Sequence, residues 1–422
     1  MTPIMRQVPF LFITSMLAAL LFSSCVWTST DTDTDFLPLD DSEYPYANIP
    51  RLVIETEGFK QIRNMEDYIS AHFQIYDKDH PITEVLPLSV RGRGTSSFHS
   101  MPKYSLKLKF QHPQMLLGMP SNTEWALISN FADRTHLKNF ITLKLYSWLG
   151  GKYTPQTQFV ELYLNRQYQG LYLLSQTIKV GKDRINIPKN DSSFLFEKTT
   201  DIRIKSTDVC IKTKKGRIFS IKHPKKSTPA ILDRLKSHLD DWEAFLDTLN
   251  ESNIDSLGKW LDTDDYIRFY WVQELSKNTD ANFGRSIFFT WMVGEPIHYG
   301  PVWDFDVAYG NQVKKETKNS KNWYIRDYGW DKILFSSEEI NRRAKNFWLE
   351  NRDFFSTIPD SITKYSNMVS PLTINEFKRW PVLENDEAWC FNEPYSSYQE
   401  SIDSLNSWIR QRIDWIDQQY AY

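Results

Sequence analysis

The chain is poor in the residues that build metal clusters and disulfide frameworks. Its 422 residues include three cysteines and eight histidines. Beyond the first 25 residues only Cys210 and Cys390 remain, and these two form neither a zinc motif nor a disulfide framework. They could pair once in an oxidising compartment or remain buried thiols. Because the histidines are also scattered, the sequence disfavours a metal-dependent hydrolase.

An excess of charge and a long apolar run are also missing. The formal net charge is −3, so a role in nucleic-acid binding driven by bulk electrostatics is not indicated. After the first 25 residues no run approaches 18 apolar residues, so no membrane span is predicted there. Aromatic residues, in contrast, make up 15% of the chain. They could line a sugar-binding face or simply fill the core.

Residues 1–25 are typical of a signal peptide. Arg6 is followed by an apolar stretch from Val8 to Phe22, which is too short for a comfortable membrane span. Small residues lead directly to Cys25, and this ending resembles a bacterial lipoprotein signal, in which the cysteine becomes the lipidated N-terminus. Phe22 departs from the small or β-branched residue usual at its position. An ordinary secretory signal with an incidental cysteine is the alternative.

Residues 26–48 are rich in Thr and Asp and contain no Lys or Arg, which predicts a solvated tether. An acidic stretch after the lipid-bearing cysteine resembles the surface-export signals of Bacteroidetes lipoproteins. We therefore expect a lipid-anchored protein of the cell envelope. The resemblance favours the outer membrane or cell surface over the periplasmic side of the inner membrane.

The remaining chain divides into a β-rich region, 49–225, and a helical region, 226–422. Alternating or continuous apolar residues predict the strands. They cover 51–56, 68–76, 85–93, 104–110, 125–128, 159–164, 168–174, 194–198 and 208–213. Within the β-rich region Asp133 is predicted to begin a helix that ends at Gly150-Gly151. The order of elements predicts an α+β, two-lobed enzyme.

The helical region contains amphipathic patterns, one hairpin and one loop. A helix is predicted from Thr228, another from a cap at Thr263-Asp264-Asp265 to Ser276, and further helices over 337–422. Ser286 to Met292 and Pro296 to Tyr299 predict the hairpin. Residues 311–332 are predicted to form a long loop.

Three aspartates around this hairpin are the strongest chemical signal. Asp280 lies in a polar turn before it, and Asp304 and Asp306 follow it, one residue apart between aromatic residues. Paired carboxylates suit a divalent cation, and kinases combine such a site with a further Asp that orients the hydroxyl. The alternative is that Asp304 and Asp306 cap a turn and bond backbone amides.

Several segments, in order, resemble the CotH kinase family of atypical protein kinases. The match covers roughly residues 50–310 and the last 20 residues. The matching segments are Arg91–Phe98 with Pro102-Lys103 and Leu106–Lys109, Trp125–Asn139, Val160–Asn165 with Tyr168–Tyr172, Glu274–Asp280, Gly300–Gly310 and Trp408–Asp417. The resemblance implies a heavily modified protein-kinase-like fold and transfer of phosphate from ATP to Ser or Thr of a protein.

By this resemblance Asp280 is the catalytic aspartate, and Asp304 and Asp306 hold Mg²⁺, or Mn²⁺ or Ca²⁺ in its place. The strand carrying Lys107 and Lys109 matches the one that bears the phosphate-binding lysine. Arg93 and Lys103 are second candidates for that role. For each basic residue, a solvated strand face is the alternative interpretation.

Some kinase features are missing. Arg285 occupies the position, five residues after Asp280, where kinases have a metal-binding Asn, and Asn282 or Asn278 could replace it. Gln176 stands where the family often has an acidic residue, so the ion pair of the phosphate-binding lysine is expected to come from Glu197 or to be absent. A glycine-rich phosphate loop of the usual kind is not visible. Two functions therefore remain: a secreted kinase, or an inactive kinase-fold protein that binds envelope glycan or protein.

Overall fold

A computed structural model describes residues 39, 41–204, 207–312, 315–385 and 394–421. The predictions for the signal, the tether up to residue 38, Cys25 and Cys390 lie outside these residues. None of the described helices is long and apolar enough to cross a membrane.

The described chain is a mixed α+β structure with strands concentrated in its first half, as predicted. The strands are β1 (Arg51–Thr56), β2 (Ile69–Asp77), β3 (His80–Pro81), β4 (Leu86–Arg93), β5 (Ser105–Leu116), β6 (Met119–Ile128), β7 (Thr157–Leu164), β8 (Gln167–Gln176), β9 (Ser193–Thr199), β10 (Cys210–Lys212), β11 (Ile218–His223), β12 (Phe288–Met292) and β13 (His298–Tyr299).

Helices dominate the second half, which confirms the other part of that prediction. The α-helices are α1 (Thr95–Ser100), α2 (Lys138–Trp148), α3 (Pro229–Thr248), α4 (Thr263–Ser276), α5 (Lys315–Lys318), α6 (Gly329–Leu334), α7 (Glu338–Glu350), α8 (Arg352–Ser356), α9 (Ile358–Arg379) and α10 (Tyr398–Tyr420).

The first sheet has eight strands in the order β1-β7-β8-β6-β5-β4-β2-β3. Because β1 pairs with both β7 and β2, the sheet closes on itself. Strand β5 shows the predicted period of two, since Leu106, Leu108 and Phe110 are buried in its core. At the β7–β8 turn Asn165 and Arg166 both have positive φ, which matches the twist of a two-residue hairpin.

The second sheet has the order β10-β11-β9-β12-β13. Its hairpin β12–β13 comes after α4 in the chain, yet β12 pairs antiparallel with β9. Residues on both sides of position 225 therefore share one sheet. A sheet that residues before and after position 225 share does not divide the chain into two lobes at that position. The two-lobed arrangement therefore stays a prediction.

Three local predictions were wrong in their boundaries. The helix expected from Asp133 begins at Lys138, because the positive φ of His136 (56°) interrupts the helical conformation before it. The Asp133 carboxylate accepts the backbone N–H of Lys138 at 2.9 Å. The N-cap of α4 is Asp262, which accepts the N–H of Asp265 at 3.0 Å. Residues 311–332, expected as a loop, contain α5 and the first part of α6.

Candidate active site

Asp280 is positioned by the end of α4. Lys277 ends this helix in a left-handed conformation, and Asn278 follows with a fully buried side chain. The Asn278 Oδ1 accepts the N–H of Asp280 (3.1 Å), while its Nδ2 donates to the backbone oxygen of Asp304 (3.0 Å). One buried amide thus fixes the segment of Asp280 against the segment of Asp304.

Asp304 and Asp306 are held by side chains rather than by backbone amides. Ser286 Oγ donates to Asp304 Oδ2 at 3.0 Å, and Asn139 Nδ2 of α2 donates to Asp306 Oδ1. Asn139 Oδ1 also accepts the N–H of Phe305 at 2.9 Å. Among the described residues no backbone N–H donates to either carboxylate. The contacts therefore do not support the interpretation that the two aspartates cap a turn.

The backbone of Asp304 is strained, with φ at 70°. This left-handed conformation costs a residue with a side chain about 1–2 kcal/mol. The bonds from Asn278 and Ser286 hold it in place. Strain of this kind concentrates at functional sites, because the surrounding structure must enforce it.

One cavity of about 380 Å³, the carboxylate cavity, is lined by Asp280, Asp304, Asp306 and Asn282. Burial, followed by the charge of Asp304, raises the pKa of Asp280 to about 6 and that of Asp306 to about 7. Carboxyl groups with raised pKa values gain from a bound cation, which removes their mutual repulsion. Oxygen ligands of this type are the ones that Mg²⁺ and Ca²⁺ take. The residues present fit a divalent cation.

Two arginines of the same cavity were not predicted as site residues. Arg285 Nη2 donates to Asp280 Oδ1, so the residue that replaces the expected Asn binds the candidate catalytic carboxylate. Arg203, from the turn after β9, lines the cavity too. Nothing in a motif points to Arg203, because its loop carries no recognisable pattern. Asn282 donates to the Tyr324 hydroxyl at 3.1 Å, and its Oδ1 has no hydrogen-bond partner among the described residues.

A second cavity of about 390 Å³, the cationic cavity, is lined by Arg93, Lys107 and Glu197 among other residues. Lys107 Nζ lies 2.9 Å from Glu124 Oε2, whereas Glu197 pairs with Lys222. The expected Glu197 partner of the lysine is therefore corrected to Glu124. Burial raises the pKa of Glu124, but the attraction of Lys107 outweighs it and lowers the pKa to about 2.

The two cavities adjoin at consecutive residues. Trp303 lines the second cavity and Asp304 the first. The Arg93 guanidinium lies 5.0 Å from the ring centroid of Trp303. Six cationic side chains but three carboxylates line the second cavity, so among its described residues positive charge is in excess. Such a surplus suits an anionic ligand next to the carboxylate cavity.

Lys103 and Lys109 lie elsewhere. Lys103 is fully buried, and its Nζ donates to Glu376 Oε1 (2.7 Å) and to the Leu171 oxygen (2.6 Å). These bonds use the ammonium group to join β8 to α9. Lys109 is exposed, 5.6 Å above the ring of Tyr68. Of the four predicted basic residues, the structure brings only Arg93 and Lys107 to a cavity beside the aspartates.

A separate possible metal-binding triad consists of Asp262, Asp265 and His298, whose ligand atoms lie within 4.8 Å of one another. This group already contains cations. His298 Nδ1 is 2.7 Å from Asp265, and Lys152 Nζ is 2.9 Å from the same carboxylate. Hydrogen bonds with Asp262 and Asp265 raise the pKa of His298 to about 9, so the imidazole is protonated at neutral pH. Protonated His298 and Lys152 thus already supply positive charge to the two carboxylates, and a metal would have to displace the proton of the ring.

The family model described as CotH kinase protein matches residues 88–416. The chain belongs to the CotH kinase family, as the sequence motifs indicated. The protein is thus kinase-like, and a kinase family in general implies ATP, a divalent metal and a protein substrate. The search of curated proteins returned no match.

Proposed function

We propose that the chain is a metal-dependent protein kinase that transfers phosphate from ATP to Ser or Thr of a protein, in a modified two-lobed kinase arrangement. One observation carries this proposal: Asp280, Asp304 and Asp306 line a single cavity next to a cationic cavity, and the pKa values of Asp280 and Asp306 are raised. A purely structural cluster gains nothing from buried carboxylates that lack sufficient counter-charge.

Each group has a role in this proposal. Asp304, Asp306 and the Asn282 oxygen would hold the metal, which supplies charge stabilisation to the phosphates when bound. Arg93 and the Lys107–Glu124 pair bind the phosphate chain in the cationic cavity. The substrate hydroxyl attacks the terminal phosphorus, the bond to the β-phosphate oxygen breaks, and ADP leaves. Asp280 accepts the hydroxyl proton, for which a pKa near 6 is suitable.

One observation favours a second candidate, a kinase-fold protein without transfer activity. Arg285 occupies the position of the second metal-binding residue and binds the carboxylate of Asp280. Such a protein would act as an envelope binding or structural component.

Nucleotide binding and its dependence on the metal test the first proposal. Purified protein is titrated with ATP, with and without Mg²⁺, while its thermal midpoint is followed. We expect a Mg²⁺-dependent rise of the midpoint, since a ligand of the native state stabilises it by mass action. Asp304→Asn should remove the rise, whereas Asp255→Asn, the same change at an exposed helical residue, should retain it. No shift at millimolar ATP would favour the second candidate.

We further propose that a lipid on Cys25 anchors the protein in the cell envelope, at the outer membrane or cell surface. The support is the sequence pattern of residues 1–48. Metabolic labelling with a radioactive fatty acid tests the anchor, and Cys25→Ser should abolish the label. Digestion of intact cells by added protease tests surface exposure, with an inner-membrane protein as the protected control.

A further inference from the structure

The carboxylate cavity is lined by a cation, Arg203, that has no ion-pair partner among the described residues. Arg203 is half-buried, and its guanidinium forms no hydrogen bond or ion pair with the described residues. The neighbouring cation of the cavity, Arg285, is bound to Asp280. Burial and the charge of Arg285 lower the pKa of Arg203, whereas Asp280 and Asp304 act in the opposite direction. A bound anion would relieve the repulsion between the two guanidinium groups.

Arg203 sits on a short turn, Asp201–Arg203, between two exposed apolar residues. Ile202 is 93% exposed and Ile204 is 38% exposed. A guanidinium that faces a cavity, flanked by exposed apolar side chains, offers both polar and apolar contacts to an extended chain. The turn therefore lies where a substrate approaching the aspartates from solvent would meet it.

We propose that Arg203 determines substrate specificity by binding an acidic side chain, a carboxylate or a phosphate, next to the acceptor hydroxyl of a peptide. This inference rests on the proposed kinase function and names its substrate class. A guanidinium binds carboxylate and phosphate in the same bidentate way, so glutamate and phosphoserine share the recognising chemistry.

The nucleotide is a less suitable partner for Arg203 than a peptide. The cationic cavity already offers Arg93 and Lys107 to the phosphates, and Arg203 does not line it among the described residues. Asp304 and Asp306 would hold the metal that accompanies the nucleotide. Arg203, on the exposed turn, is therefore in a position to bind the peptide substrate.

The test uses serine peptides that are identical except for the residues flanking the acceptor, which are Glu, Gln, Lys or phosphoserine. Two quantities are measured on the full protein: kcat/KM for phosphate transfer, and Kd from the polarisation of a fluorescent label. We expect the Glu peptide to exceed the Lys peptide at least about tenfold in both, because like charges oppose binding. A further gain with phosphoserine would identify a phosphorylated substrate, and equal values would identify a carboxylate.

Reversal of charge gives the sharpest result. Arg203→Glu should invert the order of the Glu and Lys peptides, and Arg203→Gln should abolish the preference. Arg63→Glu, a charge reversal at an exposed residue outside both cavities, should leave the order unchanged. Thermal midpoints confirm that each variant is folded, and the Gln variant carries the test if the Glu variant is not.

The two proposals fail in different ways. Transfer at equal kcat/KM to the Glu and Lys peptides, with equal Kd, would overturn the role of Arg203 and leave the kinase proposal intact. Preferential binding of acidic peptides that inverts in Arg203→Glu, without transfer in any variant, would support Arg203 and overturn the kinase proposal.

Discussion

Two acidic clusters of this chain differ in how their negative charge is balanced. Asp262 and Asp265 are surrounded by His298, Lys152 and Arg268. A hydrogen bond from His298 is the main reason why the pKa of Asp262 is lowered; for Asp265, burial raises the pKa but His298 and Lys152 outweigh it.

The carboxylate cavity is the opposite case. Its aspartates outnumber the arginines that line it, and burial raises the pKa of Asp280 and Asp306. The cluster with the closest ligand atoms is thus a satisfied ion-pair network, while the cluster with unbalanced charge is the better candidate for a cation. Charge balance, rather than proximity, separates a structural from a functional acidic site.

Stability measurements should show the largest contrast. Asp265→Asn leaves His298, Lys152 and Arg268 without their shared buried carboxylate, so we expect a loss of about 3 kcal/mol in the free energy of unfolding. Asp306→Asn removes a repelled buried charge and should stabilise the metal-free protein by about 1–2 kcal/mol. Urea unfolding of both variants measures these values. Destabilisation of equal size by both would refute the contrast.

Metal affinity should show the reverse contrast between the two clusters. Asp306→Asn removes a proposed ligand and should weaken Mn²⁺ binding at least about 100-fold, or about 2.7 kcal/mol. Asp262→Asn should leave the affinity within about twofold, because His298 and Lys152 already occupy that cluster. Electron paramagnetic resonance of free Mn²⁺ gives both constants. A large loss in Asp262→Asn alone would move the metal to the other cluster.

The smallest effects should appear as two separate pH windows. The folded protein binds a proton at Asp306 more tightly than the unfolded chain does, so stability from this group falls as pH rises from about 4 through 7. His298, with its pKa raised to about 9, contributes stability below about 6.5 that is lost as pH rises through 9. Each window should span about 2 kcal/mol, because the protein relaxes around the charged groups and reduces the effect of the raised pKa values.

Two variants test which cluster produces each of the two pH windows. Asp306→Asn should flatten the pH dependence of the unfolding midpoint below pH 7, and His298→Asn should flatten it above. Saturating Mg²⁺ should act like the first variant, since a bound cation keeps the carboxylates ionised. A Mg²⁺ effect confined to the upper window would contradict the assignment.

The sequence predicted those features that lie within short segments. Asp280, Asp304 and Asp306 flank one hairpin, and the two segments that carry them are readable from local residues alone. Lys107 followed from strict alternation along β5, which separates its exposed side from the core. These predictions needed no knowledge of distant contacts.

Other site residues depend on tertiary contacts that no local pattern reports. The partner of Lys107 is Glu124 of the adjacent strand. The β5–β6 register places Glu124 opposite Lys109, two pairs along from Lys107, so the ion pair runs diagonally between the strands. Arg203 reaches the cavity through an irregular turn. Lys103 could not be told from a phosphate ligand, because its partner Glu376 is 273 residues away.

The bonds from Asn139 to Asp306 and Phe305 have a consequence for synthesis of the protein. The two ends of the Asn139–Asp306 bond are 167 residues apart in the chain. At a translation rate of about 5–20 residues per second, roughly 8–33 seconds separate their emergence from the ribosome. During that interval α2 has been made, but the segment of Phe305 and Asp306 that Asn139 binds has not. The site can therefore form only after Asp306 has been made, and any truncation before Asp304 would yield a fragment that lacks both proposed metal-binding aspartates.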